Sequence, residues 1–488
     1  MAKHELLKKT RELEAEAIKQ LDPSIRPLFH LTGSTGWIND PNGFGYYNGA
    51  LHLFFQAHPY SKESGAMHWG HVKSGDGIHW THLPTALAPE ETYDRGGCFS
   101  GTALTYGDGR HLLFYTGVDT SGATPRENRQ TQCAAFGDGL NYEKVSGNPV
   151  IGGSELPPGC SEIDFRDPKI WHDGRYYCLT VNRLEDNCAV VLFESEDALH
   201  WRCAGIPLKS DGLYGDMWEC PDLFALDGED VLILSVIGMK PRDGLKEGYV
   251  TLALPGRFDR KACAYHVTKA QMLDEGIDFY AAQTCLYPDG RQVMIAWMQN
   301  WATVKEVPEA TDFNGQMTVP RELFWKNGKI CSRPVREIER LWRKKIVYEN
   351  CRIQGTVSLY GVHGRMADMT LRICRRDSAP VLHVAVAADE TCETDIRIDC
   401  RKGEIRVDRR KSCRNPGSLE VREYRFPMEE DCVTVRILLD RWSLEIFTGD
   451  GETAATFLLY TPQESEGIFF TCEEGTCIDL DFHELNEN

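Results

Sequence analysis

The sequence lacks any run of 18 or more apolar residues, so no stretch reads as a transmembrane helix. None of its 18 cysteines forms a C-x-x-C pair, which leaves zinc clustering unsupported. It has neither G-x-x-x-x-G-K-[ST] nor G-x-G-x-x-G, so nucleotide binding has no motif behind it. Positive charge is in short supply: 54 Lys and Arg against 73 Asp and Glu give a net charge of −19. That balance argues against nucleic acid or an anionic membrane as the main partner. The segment from Met1 to Leu21 is highly charged and has no apolar core, unlike a signal peptide. The expectation is a cytoplasmic protein with reduced, mostly buried thiols and no cofactor.

A length of 488 residues exceeds the ~250–300 at which single cores stop growing, so two domains are expected. Leu6, Leu7, Leu13, Ala17 and Leu21 fall on one face of a short N-terminal helix, ended by Asp22-Pro23. Beyond it, one turn signal recurs between apolar runs: Asn48-Gly49, Asp108-Gly109, Asp173-Gly174, Asp227-Gly228 and Asp289-Gly290. The glycine spacings are 109−49 = 60, 174−109 = 65, 228−174 = 54 and 290−228 = 62. Asx-Gly between apolar runs marks a hairpin. A second turn, acidic with an aromatic four residues on, lies between these at Asp76 to Trp80, Asp138 to Tyr142 and Asp197 to Trp201. Two hairpins per unit make a four-stranded sheet, and five such units make an all-β, five-bladed propeller.

In a propeller the innermost strand of each blade starts beside the central channel. The residues just before each Asx-Gly turn therefore gather in one place. They are Asn39-Asp40-Pro41, Phe99-Ser100-Gly101, Arg166-Asp167-Pro168, Glu219-Cys220-Pro221-Asp222 and Asp278-Phe279-Tyr280. Proline disfavours helix at the residue before it, so Asp40 sits on a stiff, extended strand entry. Three units place a carboxylate at or beside an X-Pro, and paired carboxylates are the equipment of glycoside hydrolysis. Asp40 suits a nucleophile, and Glu219, with one more methylene of reach, a general acid/base. Arg166 is expected to help keep Asp167 ionised. Trp37, Phe54, Trp69, Phe99, Tyr280, Trp297 and Trp301 offer aromatic surface for a sugar, and Gln56 ends a strong strand facing the channel. His68 and His71 carry no further ligand pattern, so no metal is expected.

These pieces resemble glycoside hydrolase family 32, the invertase, sucrose-6-phosphate hydrolase and fructanase group. The matching runs are Trp37 to Gly43, Phe55-Gln56, Met67 to His71, Phe99 to Gly101, Phe165 to Lys169, Glu219 to Asp222, Asp278 to Gln283 and Pro320 to Leu323. The resemblance implies a propeller followed by a β-sandwich, and retaining hydrolysis of terminal β-fructofuranosides. It implies Asp40 as nucleophile, Asp167 as transition-state stabiliser and Glu219 as acid/base. It also implies that Asn39, Gln56, Phe99, Ser100 and Arg166 line the fructosyl subsite, with Trp37, Trp69 and Trp297 added here. Many relatives carry a Trp shortly before the His-Trp-Gly-His run, where this chain has Ser64.

After Lys345 the hairpin period stops and alternating stretches about ten residues apart follow, as in a sandwich. The expected domains are a helical segment over 1–25, the propeller over 26–340 and the sandwich over 341–488. The sandwich is expected to prop the propeller or to pair subunits into a homo-oligomer. Arg409-Arg410-Lys411 reads as a solvated face. Two rival activities stay open: a fructosyltransferase on the same scaffold, and a non-catalytic sugar-binding propeller.

Overall fold

The computed structural model describes residues 4–486 except 123, 125–126, 213, 306–310, 375–379, 413–418 and 428–431. Five sheets, each built on four antiparallel strands, form blades I to V of a propeller. Their first strands are Gly36–Tyr47, Gly97–Thr105, Cys160–Asp173, Met217–Leu226 and Tyr280–Leu286, and these touch one another around the ring. Each turns into its second strand through one of the five Asx-Gly pairs. The glycines hold φ of +85°, +89°, +74°, +90° and +88°, in the left-handed region that glycine enters without a Cβ penalty.

The outer hairpins use a different device, an aspartate that accepts the amide hydrogens two and three residues on. Asp76, Asp138 and Asp197 do so in blades I to III, as their spacing suggests. Asp259 repeats it in blade IV. The strand Phe313–Asn314 pairs in parallel with Gly36 and Trp37, tying the end of the propeller to its start.

The C-terminal sandwich is organised by one long strand, Gly467–Leu485. Its first part pairs with Val381–Ala388 and its later part with Ala367–Cys374, while Trp342–Val357 follows it along most of its length. It thus passes from one layer to the other, and Leu371, Ile373, Val384, Ile396, Val435 and Phe470 are fully buried between them.

The helix Glu5–Lys19 packs on blade I. The face it presents is the expected one at its edges but polar at its centre, where Thr10 and Glu14 are its buried residues and Leu13 is exposed. Glu14 accepts hydrogen bonds from the Thr85 amide and hydroxyl, and Arg11 donates to the Thr85 carbonyl.

Charged groups also join propeller and sandwich. Arg321 is fully buried between Asp274 at 2.8 Å and Glu445, and His30 lies 2.8 Å from both Asp440 and Glu445. Arg409 is not on a solvated face. It is fully buried 2.8 Å from Asp278, whereas its neighbours Arg410 and Lys411 are exposed.

Candidate active site

Every first strand carries a bulge in its pairing with the second. The interruptions fall between Ile38 and Pro41, Phe99 and Gly101, Arg166 and Lys169, Glu219 and Asp222, and Tyr280 and Gln283. A bulge re-aims side chains at a strand end. Here it does so five times around one channel. The three carboxylates do not share one register position, as the spacing alone suggests. Glu219 is the last paired residue before its bulge, Asp167 the first residue within its own, and Asp40 the second. Three successive positions of one device thus present three carboxylates from different blades.

The bulges are stitched blade to blade. Asp167, Cys220 and Ala281 hold φ of +61°, +48° and +55°, costly for residues with a Cβ. Each gives its amide hydrogen to the preceding blade: Asp167 to Thr116 Oγ1, Cys220 to Asp167 Oδ2 and Ala281 to Ser235 Oγ, all at 2.9 Å. Gly101 likewise donates to Asn42 Oδ1 at 3.2 Å. The strain is held by bonds that would be lost if a blade shifted.

Asp40 is buried, and Ser100 Oγ donates to its Oδ2 at 2.7 Å while Asn39 Nδ2 donates to its Oδ1 at 3.1 Å. The Cys220 thiol also points at Oδ2, at 3.5 Å. Burial raises the Asp40 pKa, the charge of Glu219 adds to the rise, and the three donors oppose it. Asp167 is pushed up to about 7, chiefly by burial. Arg166 lowers it, as expected from sequence, but does not outweigh burial and the charges of Glu219 and Asp40. The Arg166 guanidinium reaches mainly elsewhere, donating from Nε to Glu219 Oε1 at 3.3 Å and from Nη1 to Asp164 at 3.1 Å. Tyr280 donates its phenol hydrogen to Glu219 Oε2 at 2.8 Å. Glu219 is thereby held at both oxygens.

The other expected residues fall into two groups. Phe99 is half-buried beside Trp37, Met67, Cys220, Tyr280 and Trp297, with Tyr249, Trp301 and Val304 at the margin. Trp37 donates its indole hydrogen to Asn39, fixing the amide that holds Asp40. Gln56 is buried and donates to the Cys98 carbonyl at 2.9 Å. Trp69 is fully buried and donates to the Phe99 carbonyl at 3.0 Å, so its indole positions Phe99 from behind. Trp297 is also fully buried, ring against ring with Trp37, Tyr280 and Trp301. Ser64 is exposed on the rim. Asp278 turns away from the channel to Arg409. Asp222 is also removed from it, bound to Lys169 at 2.6 Å and to the Thr284 amide. His71 pairs with His52 at 2.9 Å.

Sequence reasoning missed two contributors. Cys220 contacts both Asp40 and Asp167, but a cysteine after Glu219 carries no signal of its own. Tyr280 reads from sequence as aromatic surface, and its hydrogen bond to Glu219, which joins two blades, has no signature along the chain.

Comparisons with known proteins agree over most of the chain. A model described as "Glycosyl hydrolases family 32 N-terminal domain" matches residues 30–334, and one described as "Glycosyl hydrolases family 32 C terminal" matches residues 337–484. A raffinose invertase of Escherichia coli is 34% identical over 93% of this chain and 94% of its own. A sucrose-6-phosphate hydrolase of Bacillus subtilis is 33% identical over 90% of this chain and 89% of its own. The solved β-fructofuranosidase of Bombyx mori superposes with a TM-score of 0.84 at 32% identity, covering 99% of both chains. A mutant of that enzyme in complex with sucrose superposes equally well, over 98% of both chains.

Proposed function

This chain belongs to glycosyl hydrolase family 32 and is a β-fructofuranosidase-type hydrolase acting on small sugars such as sucrose; we propose that it works by double displacement through Asp40 and Glu219. The observation that carries this reading is the geometry around Asp40. One of its oxygens is taken up by Ser100 and the Cys220 thiol and the other by Asn39. Such donors favour the ionised form that a nucleophile needs, in a pocket whose burial opposes it.

Asp40 attacks the anomeric carbon of a terminal fructosyl unit, and Glu219 gives its proton to the departing oxygen. Glu219 then takes a proton from water, which displaces Asp40 and releases fructose with the original stereochemistry. Asp167 and Arg166 flank Glu219 in the same pocket. Asp167 holds fructosyl hydroxyls and steadies the positive charge that develops on the sugar ring. Asn39, Gln56, Phe99, Ser100, Trp37 and Arg166 form the fructosyl subsite, backed by Trp69 and Trp297. The domains are the helical segment to residue 25, the propeller to 340 and the sandwich beyond. No helix of the described residues is long and apolar enough to cross a membrane. The described cysteines are free thiols, which suits a reducing cytoplasm and sugars imported into it.

The test is hydrolysis of sucrose, sucrose-6-phosphate and a short inulin-type oligosaccharide by the unaltered protein and by Asp40→Asn. Free fructose is expected from the unaltered protein. The variant should lose about 10⁴-fold or more in kcat while still binding fructosides. Undiminished turnover by the variant would remove Asp40 from the mechanism, and oligosaccharide accumulating at high sucrose would identify a transferase.

A further inference from the structure

Two charged residues of the matching runs take no part in the chemistry above. Lys169 closes the bulge that presents Asp167, and Asp222 closes the bulge that presents Glu219. Both side chains are largely buried, and they form an ion pair at 2.6 Å. We infer that Lys169 and Asp222 are positioning residues, whose ion pair fixes the placement of Asp167 against Glu219 and thereby the rate of turnover. This rests on the roles proposed above for Asp167 and Glu219.

The pair belongs to a closed belt of bonds between the first strands, made at the last residue of each bulge or just beyond it. Asn42 of blade I accepts from the Gly101 amide of blade II at 3.2 Å. Thr102 of blade II donates to the Pro168 carbonyl of blade III and accepts from its Ile170 amide, both at 2.9 Å. Lys169 of blade III pairs with Asp222 of blade IV, which accepts from the Thr284 amide of blade V at 2.6 Å. Gln283 of blade V donates to the Gly101 carbonyl at 2.8 Å and accepts from the Phe44 amide of blade I at 3.4 Å. Of these links, only that between blades III and IV joins two charged side chains. Taking two charges out of water is costly, and a buried pair often stabilises no better than apolar groups of the same volume. What this pair supplies is geometry, between the two blades that carry Asp167 and Glu219.

Stiff backbone carries that geometry from the belt to the carboxylates. Pro168 stands between Asp167 and Lys169, and Cys220-Pro221 between Glu219 and Asp222. Proline fixes φ, so a shift at Lys169 or Asp222 is passed on instead of being absorbed on the way. The same two blades also meet through the Cys220 amide, which donates to Asp167 Oδ2 at 2.9 Å from a left-handed φ of +48°. Asp222 ties blade IV to blade V as well. Its bond to Thr284 comes directly after the bulge that begins at Tyr280, whose phenol holds Glu219 Oε2. Asp222 thus links the blade of Glu219 to the blades of both Asp167 and Tyr280. A misplacement of about 1 Å at a reacting group can cost roughly 10²-fold in rate.

The test measures kcat and KM for sucrose, well below the melting temperature, in Lys169→Met, Asp222→Asn and the double variant. Each single change strands one buried charge, whereas the double change removes both. The single variants should therefore melt lower, and the double variant should recover most of that loss. In all three, kcat should fall about 10- to 100-fold while KM stays within about threefold, because nothing draws blade III to blade IV at the belt. Arg436→Met breaks a buried pair with Asp368 in the sandwich and serves as the stability reference, with kcat expected within about threefold of the unaltered enzyme. A kcat that recovers in the double variant along with its melting temperature would make the pair a stabilising contact alone and overturn the inference. So would a kcat that falls no further than in Arg436→Met, or a loss confined to KM. Glu219→Gln separates premise from inference. Undiminished turnover in that variant would remove Glu219 from the mechanism, whereas its loss beside full activity in the pair variants overturns only the positioning role.

Discussion

Ser100 holds Asp40, the proposed nucleophile, by the shortest bond that its carboxylate makes, 2.7 Å from its hydroxyl to Oδ2. That bond lowers the Asp40 pKa against the rise caused by burial and by Glu219. In Ser100→Ala the carboxyl group keeps its burial and its repulsion but loses a donor, so its pKa must rise. In the proposed mechanism Asp40 attacks only when ionised, so the acid limb of the kcat/KM profile should move up by about one pH unit, the worth of one such bond. A limb that stays in place would mean that another group sets it. The three carboxylates themselves were legible in the sequence, because a stiff X-Pro step marks each bulge locally. Their order within the bulge was not, because it depends on which residue of the second strand each faces. Asp278 shows the same limit in reverse. It sits two residues before Tyr280 in a matching run, yet it lies in the bend that precedes the strand, and its carboxylate accepts from Arg409 of the sandwich.

Among the elements, the second and third strands of blade I and the second strand of blade II bring together buried imidazoles that must stay neutral. His52 Nδ1 lies 2.9 Å from His71 Nε2, and His111 stacks on Tyr47 at 4.2 Å and bonds the Tyr142 hydroxyl at 2.8 Å. Burial is the first cause of each shift, lowering His52 to about 4, His111 to about 3 and His71 well below its ordinary value. In the unfolded chain the same rings bind protons near pH 6.5. Between pH 6.5 and 4 the unfolded state therefore carries more protons, and stability falls as pH falls. The urea midpoint should drop steeply across that window. The drop should be shallower in His111→Phe, which keeps the ring stacked on Tyr47 and removes one titrating group. An equal slope in the variant would place the acid sensitivity elsewhere. His71 was visible in His68-Trp69-Gly70-His71, but its pairing with His52 is between strands and had no signature along the chain. The same holds for outer turns. Asp259 caps its turn as Asp76 and Asp197 do, but Cys263 stands where the others have an aromatic, so the repeat was not read in blade IV. Inner turns were legible because Asx-Gly is a complete local instruction.

At the scale of the whole molecule, propeller and sandwich are joined by a charge cluster that no local pattern announces. His30 enters from the segment before blade I, Arg321 and Asp274 from the propeller, and Asp440 and Glu445 from the sandwich hairpin. The Leu28 and Phe29 amides also donate to Asp440, and the Val319 amide to Glu445. The node thus braces the residues next to Thr318, which bonds the Ala296 amide beside Trp297. Burial disfavours the His30 cation, but Asp440 and Glu445 overcome it and raise His30 to about 9. Its unfolded value is near 6.5, so the folded state holds the extra proton between those limits. The stabilisation is complete below pH 6.5 and fades as pH rises to 9. Linkage over about 2.5 pH units puts it on the order of 3 kcal/mol. Removing one partner of a buried pair costs more than the pair contributes, roughly 3–5 kcal/mol, because the remaining charges lose their compensation. In calorimetry the unaltered protein should melt in one transition whose temperature falls from pH 6.5 to 9. Asp440→Asn should melt lower, with propeller and sandwich separating into two transitions, because the cluster that couples them is broken while each core is left intact. A single transition at unchanged temperature in that variant would show that the apolar contacts between the two parts carry the coupling and that the buried charges do not.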